Sequence, residues 1–228
     1  MFRRRILTAR LVVVTGAAGV LGRAVCAELL ATGHAVVGID LAPFVDPALA
    51  LSLSGIDLTD AASVADAFAR IEALGPLHGL VNVAGGFRWE TVADGDVESW
   101  DFLYRINLRT ALNTVRAARP LLGAGGSIVN IGAAGAIKAA MGMGAYAASK
   151  SGVARLTESL AEELKDAGIR VNAVLPSIID TPVNRADMPD AEFDRWVSPA
   201  ALAGVIGFLL SDAAAPVTGA LIPVTGRV

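Results

Sequence analysis

A chain of 228 residues is long enough to bury a sizeable core, and we predict a single domain over residues 1–228. Its formal net charge of −3 leaves no basic surface for nucleic acid. Although 54% of the residues are hydrophobic, the longest charge-free run, 120–137, is interrupted by proline, glycines and asparagine, so we expect no membrane span. The single cysteine, Cys26, excludes an internal disulfide and lacks partners for a metal site, which fits a cytoplasmic protein.

The N-terminal part of the chain has the pattern of a dinucleotide-binding unit. After an extension over 1–10 that includes Arg3–Arg5, the apolar run 11–14 predicts a buried strand. A glycine-rich turn follows, helical periodicity continues to Thr32, and the run 35–39 predicts a second strand. Glycines let the backbone approach a pyrophosphate, and the helix N-terminus stabilises its charge. The residues predicted to hold it are Gly16, Gly19, Val20, Leu21 and Gly22.

Asp40, at the end of the second predicted strand, indicates which dinucleotide is bound. Its carboxylate can accept hydrogen bonds from the adenosine ribose hydroxyls and would repel a 2′-phosphate. We therefore expect NAD(H) as the cofactor rather than NADP(H). For the glycine-rich turn, the alternative is that Gly16, Gly19 and Gly22 only form a tight turn and hold no dinucleotide.

A third strand and a fourth strand extend the same sheet. Residues 55–59 predict the end of the third strand, and Asp60 caps a helix that runs to Leu74. The fourth strand, 80–86, runs into glycines, where the backbone can again lie against a cofactor. We include three of its residues in the cofactor site: Asn82, Ala84 and Gly85.

The second half of the chain continues the alternation of helices and strands. The predicted helices are 97–122, a helix that contains Tyr146 and 199–210, and the predicted strands are 126–131, 169–175 and 220–224. The alternation predicts an α/β fold: a single-domain, Rossmann-like, doubly wound and mostly parallel sheet of about seven strands, with helices on both faces. In such sheets the site lies at the carboxyl ends of the strands.

Two regions leave alternatives open. Phe87 and Trp89 either line a pocket above the fourth strand or only cover apolar surface. Residues 183–198, with Phe193 and Trp196 as anchors, form either a substrate lid or a long surface excursion.

Tyr146 and Lys150 are four residues apart, which places both side chains on one face of a helix. An ammonium group beside a phenol favours the phenolate form, so the pair is a candidate acid/base device. The same spacing also occurs by chance on solvated helix faces.

Together these motifs resemble the short-chain dehydrogenase/reductase family across essentially the whole chain. The matching pieces are Thr15–Gly22, Asp40, Asp57-Leu58, Asn82–Gly85, Asn107, Tyr146 with Lys150, and Pro176–Thr181. The resemblance implies a nicotinamide-dependent oxidoreductase with a small-molecule substrate. It also implies a homodimer or homotetramer, paired through helices around 98–119 and 145–165.

The resemblance implies roles for individual residues as well. Tyr146 would be the general acid/base, and Lys150 would bind the nicotinamide ribose and lower the tyrosine pKa. Asn107 would hold a water that relays protons. The remaining cofactor contacts would be Asp57 and Leu58 at the adenine, and Ile178 and Thr181 at the carboxamide, with Pro176 in the same segment.

One position departs from the family pattern. The family's substrate-orienting serine lies 13 residues before the tyrosine, and that position here is Ala133. Loss of one hydrogen-bond donor to a developing oxyanion lowers a rate by about 10²–10³-fold. The protein is therefore either a weakened carbonyl reductase or a reductase whose substrate does not need that donor.

The quinonoid dihydropteridine reductase subfamily lacks this serine, and the run from Asp180 to Trp196 is similar to its lid. In that chemistry the hydride reaches a conjugated ring and the proton goes to a ring heteroatom, so no alkoxide forms. We therefore predict an NADH-dependent reductase of a planar conjugated substrate. The alternatives are a general ketone/alcohol dehydrogenase that works without the serine, and a catalytically silent NAD-binding protein. The predicted substrate pocket consists of Phe87, Ala133, Met141, Met143 and Trp196.

Overall fold

The computed structural model describes residues 9–228, so Arg3–Arg5 of the predicted extension lie outside the described residues. Its strands are Leu11–Thr15 (β1), Ala35–Ile39 (β2), Leu51–Leu53 (β3), Leu77–Asn82 (β4), Leu122–Ile131 (β5), Arg170–Pro176 (β6) and Leu221–Val224 (β7). They form one seven-stranded sheet in the order β3-β2-β1-β4-β5-β6-β7, and every neighbouring pair is parallel. The predicted α/β fold with a doubly wound parallel sheet is confirmed.

Helices cover both faces of this sheet. They are Val20–Ala31 (α1), Ala61–Glu72 (α2), Val97–Leu103 (α3), Thr110–Ala118 (α4), Gly144–Leu164 (α5), Pro182–Asp187 (α6) and Pro199–Leu210 (α7). Between α3 and α4, residues Tyr104–Arg109 form a π-helical turn. π-Helical turns are rare in proteins overall, and those that occur often lie at functional sites.

Side chains that alternate along the strands fill the two sides of the sheet. In β1, Leu11 and Val13 pack in a core with α2, α4 and α5, whereas Val12 and Val14 pack in a core with α1 and α7. All four are almost inaccessible to solvent. Burial on both sides explains why the run 11–14 has no polar alternation. Burying one large aliphatic side chain contributes about 1.5–3 kcal/mol, so these two cores provide most of the stabilisation of the layers.

A chain of buried polar side chains links the sheet to α4 and α5. Asn82 on β4 donates to Asn130 on β5 at 2.9 Å, and Asn130 donates to Thr157 on α5 at 2.9 Å. Thr114 on α4 donates to the Asn82 side chain at 2.7 Å. Removing one partner of such a buried bond costs about 1–3 kcal/mol, so the chain fixes how both helices sit on the sheet.

The third strand lies earlier in the sequence than predicted. β3 covers Leu51–Leu53, and residues 55–59, predicted as its end, form a loop after it. β3 is at the edge of the sheet and pairs only with β2. Its Ser52 hydroxyl accepts a hydrogen bond from the Asp46 main chain at 3.2 Å. A short edge strand held partly by a side chain carries little hydrophobic periodicity, which is why the pattern missed it.

The predicted helix 97–122 is interrupted. The π-helical turn divides it, and α4 ends at Ala118 because Pro120 has no N–H group to continue the helical hydrogen bonds. Strand β5 then begins at Leu122 rather than at the predicted residue 126.

We expect Gly22→Ala to destabilise the fold. A Cβ atom on Gly22 would lie 2.0 Å from the carbonyl oxygen of Gly16, where main chain approaches main chain. Overpacking of this kind costs about 1–3 kcal/mol or more. Urea unfolding followed by circular dichroism measures the change.

Gly204 provides a matched control inside α7. A Cβ atom there would meet no other atom within 4 Å, so Gly204→Ala should raise the free energy of unfolding by about 0.5–1 kcal/mol. Similar effects of the two substitutions would contradict the steric explanation.

Candidate active site

A cleft of about 550 Å³ opens at the carboxyl ends of β1, β2 and β4. Eleven of the residues predicted to bind the cofactor line it: Gly16, Gly19, Val20, Leu21, Gly22, Asp40, Asp57, Leu58, Ala84, Gly85 and Thr181. Asn82 lies beneath it in the buried polar chain. Pro176 and Ile178 are at the end of β6, outside the lining. The strand ends thus bring together most of a set that is scattered over 166 positions of sequence, from residue 16 to residue 181.

The part of the cleft below α1 is made of main chain. Gly16 has φ +64°, and a Cβ atom on it would lie 2.9 Å from the Ala84 nitrogen. Helix α1 begins after Gly19, which provides no side-chain cap, and its first turn contains no acidic residue. Unpaired N–H groups and the helix dipole attract an anion there. Among the described residues of the lining, none is lysine or arginine, so a bound pyrophosphate would be held by main chain. These features fit a dinucleotide.

Asp40 is fixed by the main chain on both sides. Its Oδ2 accepts from the Ala18 N–H at 2.9 Å, and its Oδ1 accepts from the Ala42 N–H at 2.8 Å. A carboxylate has about four acceptor positions, so two remain for a ligand in the cleft. A cation lies close by, because the Arg23 Nε donates to the Ala18 carbonyl at 2.8 Å.

Asp57 and Leu58 line the cleft beside Asp40, whose main-chain carbonyl accepts from the Ile56 N–H at 3.1 Å. The Asp57 carboxylate accepts from both the main chain and the hydroxyl of Thr59, each at 2.8 Å. Asn113 on α4 donates to the carbonyls of Leu58 and Thr59 at 3.0 and 3.3 Å. The sequence analysis missed Asn113, because only the packing of α4 against this loop shows that it supports this part of the lining.

Tyr146 lies in the first turn of α5, and its ring meets the ring of Phe87 edge to face. The two ring centroids are 5.0 Å apart and the planes are at 81°. Burial raises the pKa of the Tyr146 phenol to about 12. One turn further along α5, the Lys150 ammonium donates to the Ile131 carbonyl at 2.8 Å. Lys150 is only 6% exposed, and desolvation lowers the pKa of its ammonium to about 8.

These pKa directions differ from the expectation that Lys150 lowers the pKa of the tyrosine. The ammonium is directed to the end of β5, and removal of the phenol from water outweighs any attraction that it exerts. The pair therefore presents a protonated phenol at neutral pH, together with an ammonium that loses its proton more readily than an exposed lysine.

Asn107 lies in the π-helical turn and binds the segment after β4. Its side chain accepts from the Gly86 N–H at 2.9 Å and donates to the Gly86 carbonyl at 3.0 Å. It also donates to the Ser149 hydroxyl at 3.0 Å, which itself donates to the Tyr146 carbonyl at 2.8 Å. The amide thus couples the π-helical turn to the tyrosine helix, and the water relay expected of Asn107 stays a prediction. Ser149 was missed because its partner is 42 positions away.

The predicted substrate residues separate into two groups. Ala133 is buried in extended backbone after β5, Phe87 is beside Tyr146, and Met141 and Met143 lie in the loop that leads to α5. Trp196 does not join them. It is 8% exposed and packs against Phe193 with ring centroids 4.9 Å apart. An anchor role for its large apolar ring explains this placement. None of the five predicted substrate residues lines the cleft.

The segment 183–198 is tied to the rest of the chain. Arg185 forms an ion pair with Asp180 and lies 4.7 Å from the centroid of the Phe193 ring. Val197 pairs with Ile179 as an isolated bridge, and Arg227 donates to the carboxylate of Asp194 at 2.7 Å. Its first part belongs to the short helix α6.

Comparison with known proteins identifies the family. A family model described as Enoyl-(Acyl carrier protein) reductase matches residues 16–226. A (3R)-3-hydroxyacyl-CoA dehydrogenase of Rattus norvegicus is 32% identical over an alignment that covers 96% of each chain. The solved structure of a short-chain type dehydrogenase/reductase from Mycobacterium ulcerans is similar with a TM-score of 0.88 and 29% identity, over 96% of this chain and 89% of that one.

A second solved structure bears on the cofactor. A blue fluorescent protein from a metagenomic library, in complex with NADPH, is similar with a TM-score of 0.86 and 28% identity, over 97% of this chain and 98% of that one. The protein belongs to the short-chain dehydrogenase/reductase family, and it is an oxidoreductase of the kind that uses a nicotinamide cofactor.

Two statements concern the surface of the described chain. Within residues 9–228, no helix is long and apolar enough to cross a bilayer. Val97, Trp100 and Tyr104, at helical spacing around α3, leave apolar surface exposed. The homodimer or homotetramer implied by the sequence stays a prediction.

We expect Lys150→Met to change how stability depends on pH. The folded-state pKa of Lys150 is lowered from 10.5 to about 8, so the buried charge destabilises the fold below pH 8, and this effect disappears as the pH rises from 8 to 10.5. The size of the shift corresponds to about 3 kcal/mol. Urea unfolding at pH 7 and pH 10.5 should show the variant losing about that much of its stability relative to the wild type. A constant difference between the two proteins would contradict a charged, desolvated Lys150.

Proposed function

We propose that the protein is an NADH-dependent reductase of a planar conjugated ring, such as a quinonoid dihydropteridine, with Tyr146 as the proton donor. One observation supports this most directly. The site offers a protonated phenol, while the neighbouring position from which a hydroxyl would orient a carbonyl is Ala133, buried at 5% exposure. A substrate that needs one proton and no second donor suits that arrangement.

The proposed role of Tyr146 follows from its pKa. A bound nicotinamide cofactor supplies the hydride. A phenol whose pKa is about 12 keeps its proton at physiological pH, and it is a weaker acid than an exposed tyrosine. After the proton leaves, the phenolate has Lys150 on the same helical face as a compensating positive charge. The contact of Lys150 with Ile131 keeps that charge in place.

The proposed substrate class follows from the donors at the site. Reduction of a ketone builds negative charge on oxygen, and a preorganised second donor lowers that barrier. No residue from Gly132 to Ile137 carries a hydroxyl, and the Ser151 hydroxyl on α5 donates to the Ala136 carbonyl at 3.0 Å. Proton transfer to a ring nitrogen builds no alkoxide. Phe87 and Met141, 55% and 77% exposed, offer apolar surface to a flat ring.

The second candidate is a ketone/alcohol dehydrogenase that works without the serine. It is favoured by the relative from Rattus norvegicus, whose name describes a hydroxyacyl-CoA dehydrogenase. A catalytically silent nucleotide-binding protein is the third, and the presence of both Tyr146 and Lys150 argues against it.

We expect NADH oxidation with a quinonoid dihydropterin to exceed NADH oxidation with simple ketones. Tyr146→Phe should lower turnover of the dihydropterin by at least about 10²-fold, because general acids contribute about 10²–10⁴-fold. NADH should bind this variant as it binds the wild type. Absorbance at the NADH band measures turnover, and NADH fluorescence measures binding. Turnover of ketones alone would establish the second candidate instead.

Ala133→Ser provides the matched comparison within this experiment. The added hydroxyl should raise ketone reduction by at least about tenfold, since an oxyanion donor is worth about 10²–10³-fold when it is well placed. It should leave dihydropterin reduction within threefold of the wild type. An equal gain in turnover with both substrates would contradict the proposal that the missing hydroxyl at position 133 selects the substrate class.

We further propose that Asp40 makes NADH the preferred cofactor. Its carboxylate lines the cleft, and a 2′-phosphate there would meet a like charge with no lysine or arginine in the described lining. Asp40→Asn should therefore lower the ratio of the NADPH dissociation constant to the NADH dissociation constant by about tenfold or more. Asp57→Asn, at another carboxylate of the lining, is the control and should change both constants alike. Tighter binding of NADPH than NADH by the wild type would overturn the proposal.

A further inference from the structure

The segment after β4 sends successive side chains to different elements. Phe87 packs against the Tyr146 ring, whereas Arg88 points to α3. The Arg88 guanidinium lies 4.0 Å from the centroid of the Phe102 ring, and it donates to the Ser99 hydroxyl at 3.1 Å. This leaves Trp89, which the sequence analysis could not assign either to a pocket or to simple coverage of apolar surface.

Trp89 binds the loop that leads to α5, the helix that contains Tyr146. Its indole N–H donates to the Met141 carbonyl at 3.0 Å. The next residue, Glu90, donates its main-chain N–H to the Gly142 carbonyl at 3.0 Å. Gly142 has φ +77°, and a Cβ atom on it would lie 2.1 Å from the indole Cε2. Only glycine fits beneath the ring, so this is a specific contact of an aromatic ring with main chain.

The turn around Gly142, which Trp89 contacts, leads directly into α5. Met143 donates its N–H to the Ala140 carbonyl at 3.1 Å, which closes the turn around Gly142. The Met143 carbonyl then accepts from the Ala147 N–H at 2.7 Å, in the first turn of α5. Trp89 therefore holds the turn that carries Met141 and Met143. Met143 lies three residues before Tyr146, whose ring contacts Phe87.

We propose that Trp89 is a positioning residue for the substrate side of the active site. It fixes the loop 132–143, and with it Met141 and Met143, relative to Tyr146. The effect on a substrate rests on the proposed function, whereas the hold on the loop does not. Because Trp89 is not part of the lining of the nucleotide cleft, its loss should disturb substrate binding and leave cofactor binding unchanged.

The first test needs no substrate. Lys138 is exposed in this loop and is the one lysine or arginine between Arg119 and Lys150. Trp89→Ala should speed tryptic cleavage after Lys138 by at least about tenfold, measured by mass spectrometry of the fragments. Trp89→Phe keeps an aromatic ring against Gly142, so its cleavage rate should lie between the rates of Trp89→Ala and the wild type. Phe208→Ala, which removes an exposed aromatic ring on α7, should leave the rate unchanged. Equal cleavage of Trp89→Ala and the wild type would overturn the proposal.

The contact itself is tested by a double-mutant cycle. Gly142→Ala places a methyl group inside the indole, so it should also expose Lys138. In the Trp89→Ala background the same change should add less, because the clash with the indole is gone and only the cost of alanine at a positive φ remains. Strictly additive effects on the cleavage rate would show that the ring and the glycine do not act together.

The second test uses the proposed reaction. With NADH and a quinonoid dihydropterin, Trp89→Ala should raise KM for the dihydropterin about tenfold, lower kcat less than threefold, and leave the NADH dissociation constant unchanged. Trp89→Phe should restore most of KM. A fall in kcat with unchanged KM would overturn the positioning role. If the wild type does not turn over the dihydropterin, the proposed function fails while the cleavage experiment still decides the role of Trp89.

Discussion

The Lys150 ammonium is buried against the main-chain carbonyl of Ile131, and the arrangement of the site depends on that contact. A desolvated charge is unfavourable, as the lowering of the Lys150 pKa to about 8 shows. The fold tolerates it because α5 is held to the sheet from below. Val153, one helical turn after Lys150, is 1% exposed, and Thr157 accepts a hydrogen bond from Asn130 on β5 at 2.9 Å. The stability given up at Lys150 is thus offset by apolar burial and by the Asn130 to Thr157 bond.

The same contact decides the protonation state of the site. Because the ammonium is directed to the end of β5, the phenol of Tyr146 experiences mainly burial, and its pKa rises to about 12. Phe87 contributes to that burial through its edge-to-face contact. A tyrosine in this state carries its proton at neutral pH and is a weaker acid than an exposed tyrosine. The coupling through Asn107 and Ser149 then fixes the tyrosine turn relative to the segment after β4.

Local patterns allowed most of the fold and one half of the site to be predicted. The unit from Leu11 to Asp40 is readable because each strand is buried on both sides and glycines mark the turns that begin and end the helix between them. Tyr146 and Lys150 are readable because helical spacing alone places them together. The π-helical turn and the partners of Lys150, Phe87 and Trp89 depend on packing between distant segments, which no periodicity encodes. Trp196, predicted to shape the substrate pocket, packs against Phe193.

The donor count at Ala133 connects the structure to the substrate class. An enzyme that reduces a carbonyl must stabilise charge on oxygen, and hydrogen-bond donors do this best when they are already in place. Here the two serine hydroxyls of α5 nearest in sequence to Tyr146 are engaged, since Ser149 donates to the Tyr146 carbonyl and Ser151 to the Ala136 carbonyl. Recruiting either would break a bond that shapes α5 or the loop before it. A substrate whose charge is neutralised by a single proton avoids this requirement, because Tyr146 alone can then complete the reaction.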